Sequence, residues 1–526
     1  MTSRDNFDLP LSKATAEEAA SSATTAGPRA WFGLALLALP TILLGLDLTL
    51  LHLALPALAA DLQPSSTQAL WIMDAYGFMI AGFLITMGTL GDRIGRRKLL
   101  MMGAAAFAVA SVLAAFSTSA VMLIAARALL GMAAATLMPS TLALITNMFV
   151  DPRQRALGFG IWATMFALGM ALGPVVGGIV LERFWWGAAF LVAVPVIGLL
   201  LLLAPMLLPE YRAPQAGRLD LASVGLSLAA MLPMVYGIKQ IAKDGIGLHP
   251  FGAIAMGLVF AVLFVRRQRR LADPLLDVSL FTNRAFSVAL IVLLFGLVAV
   301  GGTMLLVTQY LQLVAGFSPR VAGLWMGPPA LAMVAAGVTA PLIARHVRPG
   351  FVVAGALGLS VIGYLMLARL DNGSSGVAIV VAGFSLAYLG LGTIAALGTD
   401  LVVGSAPVDK AGSASAMSET VQDLGVSLGI AVLGSLATAV YRRTMLDRIP
   451  EGLGHETREA VADSLWAATA VAPPLPAGLL EEAQAAFTAG FSAAAMFSAA
   501  SVTALALLAA VSLRHVGVID AGEQRQ

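Results

Sequence analysis

Gly88-Thr-Leu-Gly-Asp-Arg-Ile-Gly-Arg-Arg-Lys-Leu-Leu100 sets five charged side chains, Asp92, Arg93, Arg96, Arg97 and Lys98, between two apolar runs of membrane-crossing length. A connection this basic between two such runs is expected on the cytoplasmic side of a bilayer. Asp92 beside Arg93, with Gly95 ahead of Arg96, makes a charged hinge in which carboxylate and guanidinium can pair across helix ends.

Only 11% of the 526 residues are charged, against about 25% in a soluble protein, while 59% are hydrophobic. Mean hydropathy is +0.89. Apolar runs this long and this frequent exclude a string of soluble domains. The 53 glycines suit helices that pack closely in lipid. There is no Cys, which excludes disulfides, thiolate catalysis and Cys-ligated metals. The net charge of +2 decides little, because the distribution of charge matters more than its sum. Residues 1–30 are polar and lack the short apolar core and cleavage site of a secretory signal. They are expected to form a disordered cytoplasmic tail ahead of an uncleaved first helix.

Fourteen apolar runs of about 20 residues can be marked, at 31–56, 69–90, 99–116, 121–148, 158–181, 188–208, 219–238, 250–266, 285–311, 321–344, 351–369, 376–401, 412–441 and 485–513. The chain therefore reads as an all-α polytopic membrane protein. Pro40, Pro139, Pro174, Pro195, Pro233 and Pro328 fall inside runs, which lipid-embedded helices tolerate. An even number of spans puts both termini on one side. That side holds about two-thirds of the 31 Lys and Arg, so both termini are expected in the cytoplasm. Arg442 and Arg443 oppose the trend locally. The long connection 442–484 has amphipathic stretches around Glu456–Thr469 and Leu479–Ala489, separated by Ala472-Pro-Pro-Leu-Pro476. It reads either as an ordered cap on the outer face or as a loose linker.

Asp47, Asp74, Asp400, Glu419 and Asp423 fall in or near spans, with Arg127 the one base read as lying inside a span and His52 the one imidazole. An ion at the bilayer centre costs about 2.5–3.5 kcal/mol, so each is a functional candidate. Asp47 lies midway along the first span. A carboxyl in hydrocarbon is cheaper neutral than ionised, which makes Asp47 a candidate proton carrier. Arg127 keeps its proton, so its role is electrostatic. Glu419 and Asp423 are one helical turn apart, ~6 Å along the axis, and repel each other unless a cation or proton is shared. They are the leading candidates for binding a cationic substrate. Asp74, after Trp71 and before Tyr76, reads as lying near a membrane interface where charge is cheap, with the two aromatics in the interfacial belt or on a binding surface. Gly169, Gly173 and Gly177 recur every four residues as a smooth stripe for close packing, with Pro174 and Gly178 beside it.

These motifs, taken in order, resemble the fourteen-helix drug:proton antiporter branch of the major facilitator superfamily, over 31–513. The resemblance rests on Asp47 with Thr49 and Ala54-Leu-Pro56; Leu70-Trp71 with Asp74 and Tyr76; the Gly88–Leu100 segment; Arg127 with Gly131 and Met138-Pro139; Gly173-Pro174 with Gly177-Gly178; and Glu419 with Asp423. It implies two six-helix halves, 31–208 and 285–513, the latter including the outer loop 442–484. Between them, 209–284 would be a linker carrying two inserted helices, and 514–526 a second cytoplasmic tail. By resemblance, Asp47 and Arg127 serve proton coupling, while Asp47, Asp74, Tyr76, Glu419 and Asp423 contact substrate. Gly88, Asp92, Arg93, Gly95, Arg96 and Arg97 form the gating segment, with Asp92 and Arg93 its latch. Gly169, Gly173, Pro174, Gly177 and Gly178 form the antiporter glycine motif. Arg345-His-Val-Arg-Pro-Gly350 sits where a second charged hinge could occur but lacks the acid.

The expected function is proton-coupled export of lipophilic cationic drugs, dyes and quaternary ammonium compounds through a multi-pass cell membrane protein. The proton gradient is its energy source; no cofactor, metal or nucleic acid is expected, and the chain is expected to be a monomer. A rival reading is an exporter of one metabolite or antibiotic. A membrane enzyme is remote, since no metal cluster, nucleophile–base pair or phosphate loop is evident.

Overall fold

The computed structural model describes residues 26–212, 220–245, 247–271, 274, 276, 278–370, 376–406, 411–450, 453–471, 475–476 and 478–517. Among them there is helix and no strand, and fourteen helices are long and apolar enough to cross a membrane. They are α1 (Pro28–Leu62), α2 (Ser66–Ile94), α3 (Arg96–Ala115), α4 (Ala120–Met148), α5 (Leu157–Arg183), α6 (Ala188–Leu207) and α7 (Leu221–Lys243). The others are α8 (Leu248–Gln268), α9 (Arg284–Val314), α10 (Pro319–Ala344), α11 (Pro349–Leu367), α12 (Gly376–Gly404), α13 (Ala414–Leu446) and α14 (Leu479–Ser512). The expected tails at 1–25 and 518–526, the stretch 213–219 and Ala472–Pro474 lie outside the described residues. The rest of the expected N-terminal tail is helix entry: α1 begins at Pro28, whose missing N–H is no loss at the first helical position.

Polar residues set the helix ends. Ser65, Ser119, Ser318 and Asn283 each accept a hydrogen bond from a backbone N–H of the first turn they precede. The charged hinge is almost entirely helical, since only Gly95 separates α2 from α3. Gly95 has φ 115°, and a Cβ there would lie 2.5 Å from the Glu210 carboxylate. The positive φ calls for glycine, while the Glu210 carboxylate, at the end of an exposed flexible side chain, could swing away.

Helices α1–α6 share one apolar core and α9–α14 another. Between them in sequence, α7 and α8 pack on each other, and α7 lies across the seam where α2 meets α13. The start of α7 is joined to the end of α8 by a two-pronged ion pair. Arg267 Nη2 is 2.8 Å and Nε 3.1 Å from the Asp220 oxygens, and the Ser223 N–H donates to the same carboxylate. The Arg267 hydrogen bonds, foremost, hold the Asp220 carboxyl down at about 2.

The described residues of the connection 442–484 form a helical cap. Its helices are His455–Asp463 and Leu465–Ala470, and the expected continuous stretch breaks at the extended Ser464, which caps the second helix. Asp463 accepts hydrogen bonds from Ser66 N (2.7 Å) and Ser66 Oγ (2.9 Å), closing the N-terminus of α2. Trp466 enters the core of α1–α6. A segment continuous with α13 and α14 thus grips the opposite half. At the same end, a Cβ on Gly178 would lie 2.6 Å from the Pro319 carbonyl, and one on Gly323 2.2 Å from the Pro174 carbonyl. Backbone meets backbone there, and the two halves are closed against each other.

Two outcomes follow. A methyl group at Gly169 would lie 2.1 Å from the Ile42 carbonyl, whereas Gly160 on the same helix faces open space. Gly169→Ala should therefore lower stability by about 1–3 kcal/mol and Gly160→Ala leave it unchanged, read by thermal unfolding of purified protein. Asp220→Asn should lower the melting temperature at neutral pH by the modest amount of a partly exposed pair, within about 1 kcal/mol. Because the folded-state carboxyl is held below its unfolded value, that difference is full above roughly pH 4 and fades as the pH falls towards 2.

Candidate functional site

Three groups of charge sit inside the bundle. The first is Asp47 of α1 with Arg127 of α4. Arg127 Nη1 donates to Asp47 Oδ2 at 2.7 Å, and Arg127 Nε donates to the Ile72 carbonyl at 3.2 Å. The guanidinium also lies over the Tyr76 ring, 4.5 Å from its centroid. Arg127 is buried, while Asp47 keeps a little exposure towards a small cavity that Leu43, Phe107 and Phe190 help to line, inside the α1–α6 half. The glycine stripe makes this placement possible. A Cβ on Gly173 would meet Thr49 Oγ1 at 1.9 Å, and that hydroxyl donates to the Met170 carbonyl at 3.0 Å. Gly169, Gly173 and Gly177 thus seat α5 on α1, whereas Pro174 and Gly178 face α10.

The second group is Glu419 and Asp423 on α13. Asp423 is buried and Glu419 half-buried, and among the described residues neither has a basic partner. Asp423 Oδ2 and the Tyr76 hydroxyl each lack a hydrogen-bond partner among the described residues, and Tyr76 lies in the field of both Asp47 and Asp423. Gly77 packs directly on α13, where a Cβ would lie 1.9 Å from Ser427 Oγ and 3.4 Å from the Asp423 carbonyl. Tyr76 therefore stands between the Asp47–Arg127 pair and the carboxylates of the other half.

The third group corrects the sequence reading. Asp74 is fully buried and ion-paired with Lys239 of α7, Oδ2 to Nζ 2.8 Å. It is packed inside the protein and not open to solvent, and Arg127 is not the one base inside a span. The expected seventh span ends at 238, which leaves Lys239 among the loop cations; in the structure α7 runs on to Lys243 and carries Lys239 into the core. Trp71 is not a belt residue either, for its ring lies under the ammonium, 3.8 Å from nitrogen to centroid. Tyr76 is buried as well.

The gating segment differs in its pairing. Asp92 bonds Arg96, 2.5 Å, one turn on, while Arg93 is exposed. Gly95 breaks the helix between Asp92 and Arg96 and lets the guanidinium fold back. Arg97 reaches the end of α6, donating to the Leu208 carbonyl at 2.9 Å, with Glu210 beside it. Gly88 lies against Pro139. All these contacts fall within the α1–α6 half and its connection to α7. Of the other candidates, His52 is buried on α1 and Asp400 is exposed near the end of α12.

Removing one member of a buried pair strands the other. Asp47→Asn should cost about 3–5 kcal/mol in thermal unfolding, and the apolar pair Asp47→Leu/Arg127→Met should recover most of it. An Asp47→Asn protein that melts like the parent would show that the pair is not formed.

Comparison with known proteins gives a consistent result. Residues 37–430 match the Major Facilitator Superfamily. The chain is 43% identical to the multidrug efflux pump LfrA of Mycolicibacterium smegmatis, over 95% of this chain and all of that protein. It is 34% identical to the methyl viologen resistance protein SmvA of Salmonella typhimurium, over 85% of this chain and 90% of that one. It is 31% identical to the tetracenomycin C resistance and export protein of Streptomyces glaucescens, over 86% and 84%. Among solved structures, an inward-facing bacterial homologue of the lysosomal transporter Spinster superposes with TM-score 0.66 at 15% identity, covering 93% of this chain and 98% of that one.

Proposed function

The chain belongs to the major facilitator superfamily, and from that premise we propose that it exports lipophilic cationic drugs, dyes and quaternary ammonium compounds in exchange for protons. One observation carries the choice of cargo: Glu419 and Asp423 share a face of α13, and among the described residues neither has a base beside it. Carboxylates so placed must be neutralised by protons or by a positively charged ligand. A metabolite or antibiotic exporter is the second reading, favoured by the tetracenomycin C relative; an anionic cargo would meet two uncompensated acids.

Orientation follows from the cations. The hinge carrying Arg93, Arg96, Arg97 and Lys98 faces the cytoplasm, and with it both termini. The end sealed by the Asp463–Ser66 cap and by the α5–α10 contacts is then the outer one. This conformation is closed to the outside and is the one that loads cargo from the cytoplasm. Glu419 and Asp423, in the cytoplasmic half of α13, give up their protons there as a cation takes their place. When the outer end opens, protons take the two carboxyls and the cation leaves. Asp47 works alongside: a proton on Asp47 Oδ2 cancels the charge that holds Arg127 Nη1, leaving the guanidinium to the Ile72 carbonyl and the Tyr76 ring. The protons exchanged at Asp47 and at α13 are thus linked through Tyr76, which stands between them. The work is done by one polypeptide.

In inverted vesicles, ethidium uptake driven by a proton gradient should stop when an uncoupler is added. It should fall more than about tenfold in Glu419→Gln/Asp423→Asn, whose abundance matches the parent. Uptake indifferent to both changes would defeat the proposal.

A further inference from the structure

The inserted hairpin brings one charge into the core, and its surroundings are thin. Lys239 Nζ lies 2.8 Å from Asp74 Oδ2 and 3.8 Å from the Trp71 centroid, with both charged side chains wholly buried. No other described residue donates or accepts a hydrogen bond to supplement the ammonium or the carboxylate. The Asp47–Arg127 pair, by contrast, has the Ile72 carbonyl in support. A buried pair with so little support recovers little of its desolvation, and apolar side chains of the same volume would join the helices at least as well. A carboxylate facing an aromatic ring is the arrangement by which proteins seat ammonium ligands. Here the ammonium arrives on a tether belonging to the chain itself.

The position of the pair gives it a use. α7 lies across the seam between α2 and α13, with Leu228 against Gly82 and Val235 packed with Phe78 and Ala431. That seam joins the two halves, and on the exporter reading, which this inference rests on, it parts when the outer end opens. We propose that Asp74 and Trp71 form a second cation seat, filled in this conformation by Lys239, which a small alkylammonium ligand can fill in its place. Lys239 then decides whether Asp74 counts among the acids that meet cargo. In the closed form Asp74 is withheld; when α7 shifts against α2, the carboxylate and the indole face are left to a passing cation. The inserted helix, on this account, sets specificity as well as filling space.

Lys239→Ala tests this directly, because it deletes Cγ, Cδ, Cε and Nζ, a fragment the size of n-propylammonium. Thermal unfolding of the purified full chain is measured against n-propylammonium, with n-propanol as the neutral control. The amine should raise the melting temperature of Lys239→Ala saturably, and bind it at least about tenfold more tightly than Asp74→Asn/Lys239→Ala. The parent, whose seat is filled, should not respond, and n-propanol should move none of the three. Absence of an amine-specific shift, or a shift that survives Asp74→Asn, overturns the proposal. Should Lys239→Ala be too unstable to purify, its accumulation in cells with and without the amine is read instead: rescue supports the seat and no rescue overturns it. Ethidium export by the parent is scored separately. Export without an amine response defeats the seat alone, and an amine response without export defeats the exporter reading alone.

Discussion

A charge inside hydrocarbon has to be balanced, and the interior of this bundle is organised by that requirement. In this conformation two acids have partners within the chain: Asp47 is held by Arg127 and Asp74 by Lys239. Two others, Glu419 and Asp423, have no base among the described residues. On the proposed function, a proton or a cationic cargo supplies the missing positive charge. The unpaired carboxylates then take proton or cargo directly, whereas the paired ones must first part from their own base.

The backbone packing serves the same arrangement. Glycines on α5 let it lie directly on α1, which fixes the helix bearing Asp47 and ties Thr49 to the Met170 carbonyl. Further along α5, Pro174 and Gly178 meet α10 across the boundary between the halves. One stripe therefore links the Asp47–Arg127 pair to the closed end of the molecule. The cap strengthens that closure with the Asp463 carboxylate on the first turn of α2, a few turns from Asp74 on the same helix. Opening this end has to release the cap, part the α5–α10 contact and disturb the α2–α13 seam that α7 overlies.

Much of this was legible in the amino-acid order because lipid enforces long apolar helices and makes each interior charge conspicuous. The fourteen spans, the glycine stripe and the acids on α1 and α13 all carry signals that are local in sequence. Lys239 does not. It stands at the edge of an apolar run, where a lysine reads as a loop cation, and its partner lies on a helix remote in sequence. Asp74 was accordingly read as interfacial, when in fact its charge is balanced by the inserted helix. The pair across the helix ends at Gly95 was legible, but not its partner: Gly95 turns the chain so that Arg96, not the adjacent Arg93 of the resemblance, comes back onto the Asp92 carboxylate. The capping of α2 by Asp463 depends on two helices that propensity suggests but whose docking only the tertiary structure fixes.

The central claim is that the unpaired carboxylates trade protons for a cation. Its most direct test is proton release on binding, with purified protein in weakly buffered detergent near neutral pH titrated with tetraphenylphosphonium while the pH is recorded. The account predicts acidification that saturates with binding and is lost when Glu419 and Asp423 are both made amides. Tight binding of the cation with no proton released would contradict it.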